Sequence, residues 1–558
     1  MDNQRLFAWA LFGLMALMTW QAWQDDYGPK PAATQSPAAA APAQPNAQPG
    51  DDLPIIGDVP GVEATTVTDE TAPSATEQQQ FVRVVTDVLE LEINPEGGDI
   101  VSARLPKYPV AKDRPDEPIT LLDYATNDFA VFRSGLTTRD KTREPNHRAT
   151  FTAAATDYEL GPGEQTLVVP LQWTSGDGLT VTKQFTFTRG QYRVDLDMQV
   201  SNQTGSAWDA APYARIVHMT EAADRSMFDV ESYSFKGPVV YDGEKYEKHS
   251  IGDLQDRSIE IDAVQGGWVA AIEHHFLSAI IPPADASNRY QIGLSGSTFV
   301  AGTVGAPVTV AAGQETSLPI TLFVGPKLQD QLEQISPRLP LTVDYGILTL
   351  LSDPLFWLLS TVFGFVGNWG WSIIIVTILI KLVFYKLTEK SGRSIAKMRR
   401  LQPRLKAIQE RYKDDRQKLS QAMMDLYKRE KVNPAAGCLP ILIQMPFFLA
   451  FYWVLLESVE MRQAPFLLWI QDLSSRDPFF ILPLLMGAAM LAQQQLNPAP
   501  TDPVQAKVMK VLPIVFTAFF AFFPAGLVLY WFTNTLLGVA QQWQINRVVE
   551  AEERSAKD

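Results

Sequence analysis

Long apolar runs in the last third of the chain constrain its fold more than any other feature. They cover residues 369–388, 437–457, 479–496, 508–523 and 525–545. A segment of about 20 apolar residues can cross a bilayer as a helix, because a helix satisfies its own backbone hydrogen bonds. We therefore predict five membrane-spanning helices, the first at 369–388 and the other four within 434–547. The fourth run would reach only about 24 Å as a helix.

A sixth apolar segment lies within residues 1–27. Arg5 precedes its apolar core, Asp25 and Asp26 follow it, and no small-residue cleavage site stands just beyond. This pattern favours an uncleaved membrane anchor over a cleaved signal peptide. Residues 28–78 are rich in Pro, Ala, Gln and Thr and poor in bulky apolar residues, so we predict a disordered periplasmic tether.

Residues 79–340 follow a different pattern, in which apolar and polar side chains alternate. LELEI at 89–93 alternates and leads into the turn NPEGGD, and two further alternating stretches flank Gly190 as in a hairpin. Such strand signals, separated by turn residues, predict a large all-β sandwich. ETSLPITLFVGPK at 315–327 is expected to close it.

One cysteine and five histidines limit the chemistry that the chain can perform. No disulfide can form within the chain, so the sandwich must be held together by core packing. The histidines lack metal-ligand spacing, and the rings of His274 and His275 are expected to point apart as neighbours on a strand. With no catalytic constellation or nucleotide-binding loop in the sequence, we predict neither an enzyme nor a metal or cofactor site.

The segment 341–368 is predicted to be a helix at the outer membrane–water interface, because it is aromatic and immediately precedes a span. Asp353 followed by Pro354 is typical of a helix start, with a capping side chain before a proline in the first turn. The sequence GNWG at 367–370 predicts a break before the next helix.

Charge is segregated along the chain. The formal net charge is −15, yet 15 basic and six acidic residues lie between Lys386 and Lys431. Positive charge beside apolar spans indicates a cytoplasmic segment, which places the sandwich in the periplasm and the N-terminus and the tail 548–558 in the cytoplasm. Apolar residues at helical spacing predict two packed helices over 389–433. Their basic faces are either simply solvated or a docking surface for anionic membrane lipid, the ribosome or a nascent chain.

Lys381 is the only charge near the centre of the predicted spans. A lysine in hydrocarbon costs roughly 3 kcal/mol, so it either snorkels to the cytoplasmic headgroups or lies in a polar groove. We favour the groove, because polar side chains occupy the matching face of its own helix and single faces of other spans. The predicted groove residues are Lys381, Thr377, Tyr385, Gln444, Tyr530, Trp531 and Asn534.

A groove that holds one cation suits a protein that takes a polar or acidic segment of another protein part of the way across the membrane. Short spans thin the bilayer and lower the remaining barrier. The apolar segment of that client could then slide along aromatic helix faces, although these aromatics are also compatible with ordinary helix packing. The predicted sliding surface consists of Met445, Pro446, Phe447, Phe516 and Phe519.

Several motifs resemble those of the YidC family of bacterial membrane protein insertases: NWGWSIIIVTILIK, AKMRRLQPRLKAIQERYKDD, KVNPAAGCLPILIQMPFFLAFYW, VEMRQAPFLLWIQDLS and FPAGLVLYWFTN. The resemblance is specific over 368–545 and looser over 80–330. It implies six transmembrane helices, namely the N-terminal anchor and a five-helix core with a hydrophilic groove. It also implies a periplasmic β-supersandwich like that of sugar mutarotases.

The same resemblance implies a function in the bacterial inner membrane. Members of the family insert and fold nascent inner-membrane proteins, alone or as chaperones beside the Sec translocon. The groove cation of the family falls on Lys381, where the family usually has arginine, and its usual tyrosine–proline pair is replaced by Tyr385–Lys386. The competing interpretations are a secondary transporter, for which the internal repeat is missing, and a tethered carbohydrate-active enzyme.

Overall fold

The computed structural model describes residues 80–124, 129–220, 234–412, 415–430, 432, 439–496 and 503–555. The predicted anchor at 1–27 and the predicted tether at 28–78 lie outside these residues. The described part consists of a β domain followed by a set of helices.

Among the residues that the structure describes, the β domain contains twenty strands, which confirms the predicted all-β character of this region. Most are well-formed strands, and several are short pairings of two or three residues. They are β1 Val82–Val85, β2 Glu90–Asn94, β3 Asp99–Ala111, β4 Arg114–Asp123, β5 Ala130–Thr138, β6 Thr152–Ala153, β7 Asp157–Glu159, β8 Thr166–Thr174, β9 Leu179–Thr188, β10 Arg193–Asn202, β11 Trp208–Met219, β12 Gly237–Tyr241, β13 Tyr246–Lys248, β14 Ile259–Gln265, β15 Trp268–Ile272, β16 Phe276–Ile281, β17 Ser287–Ser295, β18 Thr298–Gly305, β19 Val308–Val310 and β20 Gln314–Pro326.

The strands form two sheets that enclose one apolar core. The eleven-stranded sheet has the order β14–β17–β18–β11–β5–β4–β3–β2–β1–β7, with β19 beside β11. The nine-stranded sheet has the order β13–β12–β15–β16–β20–β10–β9–β8–β6. Buried and partly exposed residues alternate along β9 and β10, as expected for strands with one face in a core.

Two predicted turns occur where the sequence placed them. The stretches on either side of Gly190 pair as antiparallel β9 and β10, with Val194 opposite Phe187. Gly190 has a φ of 75°, a conformation that glycine adopts without steric cost. The turn after β2 likewise uses Gly97 and Gly98 at positive φ before β3 begins.

Ten α-helices are described. Two short helices belong to the β domain, and the other eight follow it in the chain. They are α1 Ile251–Asp256, α2 Gln329–Ile335, α3 Thr349–Val366, α4 Trp369–Val383, α5 Tyr385–Arg411, α6 Arg416–Arg429, α7 Leu439–Glu457, α8 Ile481–Leu496, α9 Pro503–Phe520 and α10 Ala525–Ser555.

By length and composition, α3 alone among the described helices is long and apolar enough to cross a membrane by itself. A second span results if α4 and α5, which are bent by 71° at their junction, are counted together. Residues 444–457 of α7 and all of α8 are apolar but shorter. The six predicted transmembrane helices are therefore not established by the lengths of the helices.

The predicted helix start at Asp353–Pro354 is wrong. A 3-10 turn at Gly346–Leu348 leads directly into α3 at Thr349, so Pro354 lies inside the helix. The predicted break at 367–370 is confirmed. Gly367 ends α3 with a φ of 66°, and the Asn368 side chain caps α4 by accepting a hydrogen bond from the Trp371 N–H.

The predicted first span at 369–388 is not one straight helix. It ends at Val383, and α5 begins at Tyr385 after the 71° bend. Phe384 occupies the junction with φ −90° and ψ 7°, and its ring packs edge to face on Phe447 at 5.2 Å between ring centroids. A contact with a distant helix thus accompanies the bend, and the local sequence pattern does not reveal such a contact.

The two helices predicted within 389–433 are present as α5 and α6. They share a small apolar cluster that includes Leu401, Leu405 and Leu426. The helix predicted at 525–545 is longer than expected, because α10 continues to Ser555 through most of the predicted tail. Its extension packs on α5.

Candidate functional site

Lys381 lies half a turn before the end of α4 and faces α8 and α10. Its Nζ atom is 3.9 Å from the point where a Cβ atom on Gly538 would lie. The Nε2 atom of Gln493 is 3.2 Å from the same point. Gly538 therefore leaves the space into which the lysine and the glutamine extend. Within the described part of the chain, no carboxylate forms an ion pair with Lys381.

Polar side chains extend from this recess along α10. Asn534 precedes Gly538 by one turn on the same face and is partly exposed. On the other side, Gln541 Nε2 donates a hydrogen bond of 2.8 Å to Thr388 Oγ1 in α5. The polar face of α10 thus connects the lysine recess with the first turn of α5.

The bend separates two predicted groove residues from each other. Thr377 is 1% exposed and donates its hydroxyl to the Ile373 carbonyl at 2.6 Å, so its polar atom is satisfied within α4. Tyr385 begins α5 beyond the bend and is exposed. Gln444 is partly exposed on α7.

Tyr530 and Trp531, also predicted for the groove, lie in an aromatic cluster that joins α7, α9 and α10. The Tyr530 ring is 4% exposed and stacks on Phe451 at 4.5 Å. Trp531 packs edge to face on Phe448 at 4.5 Å and beside Phe520 at 5.4 Å. Their rings pack between these three helices. The lysine recess lies about 12 Å further along α10 from Tyr530, so the two rings do not line it.

The predicted sliding residues form two exposed strips on α7 and α9. Met445 is 41% exposed, Pro446 is exposed, and Phe447 is partly covered by Phe384. On α9, Phe519 is 55% exposed, while Phe516 stacks on Phe520 at 6.0 Å. Each strip therefore combines an exposed apolar side chain with one anchored in the aromatic packing.

Sequence reasoning missed Gln493 and Gly538. A glycine inside a long apolar helix often marks a close approach of another group, and this signal could have drawn attention to position 538. Gln493 opens a run of three glutamines at the end of α8. Neither residue could be assigned to Lys381 before the three helices were seen to meet.

The β domain rests on the end of α7 through a pair of histidines. Nε2 of His274 and Nε2 of His275 each lie 3.0 Å from the carbonyl oxygen of Leu456. The two rings stack at 3.8 Å, so the expectation that they point apart is wrong. They occupy the turn between β15 and β16, where side chains do not alternate as in a strand.

Burial determines the protonation states of the two histidine rings in this contact. It lowers the pKa of His274 to about 2 and that of His275 to about 4, so both rings are neutral at pH 7. Burial also lowers the pKa of Lys327 to about 8, and its Nζ donates to the His274 carbonyl at 2.9 Å. Glu457 is 6% exposed and lies 3.9 Å from His274 Nε2.

The loop after α7 adds further contacts with the β domain. Arg462 donates to the carbonyl oxygens of Pro109 and Val110 at 2.8 and 3.0 Å. Lys112 Nζ donates to the Gln471 carbonyl at 2.5 Å. The hairpin of β3 and β4 is therefore fixed to the loop between α7 and α8.

A second buried polar cluster lies inside the sandwich. Lys183 is fully buried and donates to the Gly97 carbonyl and to both oxygens of Ser134. Burial raises the pKa of the neighbouring Asp99 to about 6 and lowers that of His147 to about 2. Lys183 belongs to β9 of the nine-stranded sheet, whereas its acceptors belong to β5 of the eleven-stranded sheet and to the turn before β3, so these hydrogen bonds join the two sheets.

The β domain and the helices that carry the lysine recess match two protein-family models. Residues 81–358 match the YidC periplasmic domain, and residues 361–553 match the 60Kd inner membrane protein family. Together these two regions define a class of inner-membrane proteins that carry a large periplasmic β domain.

Full-length relatives make the assignment specific. The chain is 48% identical to the membrane protein insertase YidC of Thioalkalivibrio sulfidiphilus, with 99% of both chains covered. It is 46% identical to that of Nitrosococcus oceani, over 99% of this chain and 100% of the relative. A solved structure of an active YidC insertase is 18% identical with a TM-score of 0.38, and covers 83% of this chain and 92% of that one. The chain belongs to the YidC family of membrane protein insertases.

Proposed function

We propose that this chain inserts and folds integral proteins of the bacterial inner membrane through the recess that contains Lys381. The observation that carries the proposal is the identity of 48% to a curated membrane protein insertase along almost the whole of both chains. Proteins of this family are insertases and chaperones rather than enzymes. The alternative of a secondary transporter is not favoured, because the full-length relatives above are named insertases.

The recess supplies the interaction that a polar client segment loses when it leaves water. An ammonium group in low-dielectric surroundings attracts a carboxylate far more strongly than in water. Lys381 would hold an acidic client tail, and Gln493, Asn534 and Gln444 would offer hydrogen bonds. The apolar client segment would then pass along Met445, Pro446, Phe447, Phe516 and Phe519 into lipid.

We propose six transmembrane helices, formed by the N-terminal anchor and the region from α4 to α10, with both termini in the cytoplasm. Two features support this orientation. The β domain is attached to the loop between α7 and α8, whereas the basic helix α5, on which α6 packs, is linked to the far end of α10. Positive segments remain on the cytoplasmic side of a bilayer.

The partners that we propose follow from the surfaces of these regions. Nascent inner-membrane proteins are the clients of the groove, and the Sec translocon is the partner in cooperative insertion. The basic faces of α5 and α6 would meet the ribosome or anionic membrane lipid. Exposed cations such as Lys390 and Lys406 supply that charge.

The proposal is tested with purified protein in vesicles and two single-span clients, one with an acidic N-terminal tail and one with a neutral tail. We expect Lys381→Ala to lower insertion of the acidic client about tenfold, which corresponds to about 1.4 kcal/mol. We expect Lys381→Arg, which keeps the positive charge, to insert this client as the unaltered protein does. The matched control is Lys510→Ala, since Lys510 is an exposed lysine on α9. Normal insertion of both clients by Lys381→Ala would show that Lys381 only snorkels.

A further inference from the structure

A crevice between α8 and α10 lies at the end of the helices that is remote from the β domain. It has a volume of about 360 Å³, within the roughly 300–1,000 Å³ of typical ligand pockets. Leu496, one of its residues, ends α8, whereas the loop that holds the β domain precedes the start of this helix. The lining is apolar apart from one glutamine and consists of Ala492, Gln495, Leu496, Leu536, Val539, Ala540 and Trp543.

One cation stands at the rim of this crevice. The guanidinium carbon of Arg547 is 3.7 Å from the centroid of the Trp543 ring. Trp543 is 49% exposed, and Arg547 follows it by one helical turn and is also exposed. In the parts of the chain that the structure describes, Arg547 forms no ion pair with a carboxylate. An apolar slot thus leads to an exposed positive charge.

We propose that this crevice binds an acyl chain of an anionic phospholipid, with the headgroup phosphate at Arg547 and Gln495. In hydrocarbon surroundings a lipid acyl chain fills an apolar crevice, and tryptophan is enriched at the level of the lipid headgroups. Arginine binds phosphate through parallel N–H donors. In the orientation proposed above, the site faces the cytoplasmic leaflet, which carries the anionic lipids.

Another transmembrane helix is the competing occupant. Such a helix is about 10 Å across with its side chains, and its apolar face would bring no anion to Arg547. The pairing of the slot with a cation therefore favours the lipid. The site lies outside the lysine recess, so its occupancy can be measured without a client.

The test uses the full-length protein in vesicles of phosphatidylethanolamine and phosphatidylglycerol. A trace of phosphatidylglycerol or phosphatidylcholine carries a diazirine on one acyl chain, and the labelled peptides are mapped by mass spectrometry. We expect phosphatidylglycerol to label residues 492–496 and 536–543 about fivefold more than phosphatidylcholine, which corresponds to about 1 kcal/mol for one arginine.

Three variants distinguish binding of the headgroup from binding of the acyl chain in the crevice. Arg547→Gln is expected to bring the two probes to equal labelling, and Ala540→Trp to lower labelling by both, because it fills the crevice. Lys510→Gln removes an exposed cation elsewhere and should leave the preference intact. Equal labelling of the unaltered protein by both probes, a preference that survives Arg547→Gln, or cross-links from these residues to another protein chain would overturn the proposal.

Discussion

At the scale of single residues, the space around Lys381 exists because residue 538 is a glycine and has no side chain. Gly538 lets Lys381 Nζ and Gln493 Nε2 approach the same point on α10. A lysine is a compact charge with three donors, whereas an arginine needs room for a planar group. The lysine at 381 is therefore suited to a recess that it shares with one amide.

Gly538→Leu is predicted to lower insertion of an acidic-tailed client, because the new side chain must displace both Lys381 and Gln493. We expect a loss of about tenfold, similar to that of removing the lysine, since about 1.4 kcal/mol of interaction is at stake. Insertion into vesicles measures the effect. Gly364→Leu is the matched control, because nothing lies within 4 Å of a Cβ built on this helical glycine. A normal rate for Gly538→Leu would contradict the role given to the recess.

At the scale of elements, two contacts decide how the helices and the β domain are arranged. The Phe384–Phe447 contact accompanies the bend between α4 and α5. The histidine pair fastens the β15–β16 turn to the last turn of α7 through the Leu456 carbonyl. Both contacts join residues that are far apart in the chain.

The histidine contact is predicted to weaken as the pH falls below about 6.5, the ordinary pKa of histidine. In the docked state burial lowers the pKa of both rings, so this state binds fewer protons than the undocked state, and acid favours undocking. The slope is about 1.4 kcal/mol per pH unit for each histidine between the two pKa values. Lys327, with a pKa of about 8, stays charged throughout this range, and the acidic groups near the pair are Glu457 and Asp472.

Hydrogen exchange of residues 456–463 at pH 7.5 and 5.5, corrected for the intrinsic effect of pH, measures this change. Protection should fall at the lower pH. A double variant with His274→Gln and His275→Gln keeps hydrogen-bond donors at both positions, but glutamine does not titrate. Protection of residues 456–463 in this variant should therefore be the same at both pH values. His147→Gln serves as the control, because the contacts of His147 with Tyr213 and Arg215 lie inside the sandwich and not at the docking turn. The same pH dependence in the double variant would rule out the histidines as its source.

At the scale of the whole molecule, the β domain and the basic helix α5 contact opposite ends of the set of helices that contains the lysine recess. The β domain contacts the loop after α7, and Arg393 of α5 forms an ion pair of 2.9 Å with Glu552 of α10. The lysine recess lies between these attachments. The β domain and α5 therefore contact different parts of the set of helices.

Deletion of residues 389–433 is predicted to abolish insertion, whereas deletion of most of 80–310 should leave it largely intact. The first deletion removes most of α5 and all of α6, and with them the contacts of Gly392 and Arg393 with α10. The second removes a domain whose described contacts lie at the opposite end of the helices. Insertion is measured in vesicles at matched protein levels. Equal losses from both deletions would refute this division of roles.

The sequence alone determined the β domain, the apolar helices, the hairpin around Gly190 and the break at 367–370, and it singled out Lys381 as a candidate. These features depend on periodicity, turn chemistry and charge, all of which are local. Only the tertiary structure decided that α4 bends at Phe384, that Tyr530 and Trp531 pack in an aromatic cluster, and that Gln493 and Gly538 share the recess with Lys381. These outcomes depend on contacts between helices distant in sequence, which no single helix pattern encodes.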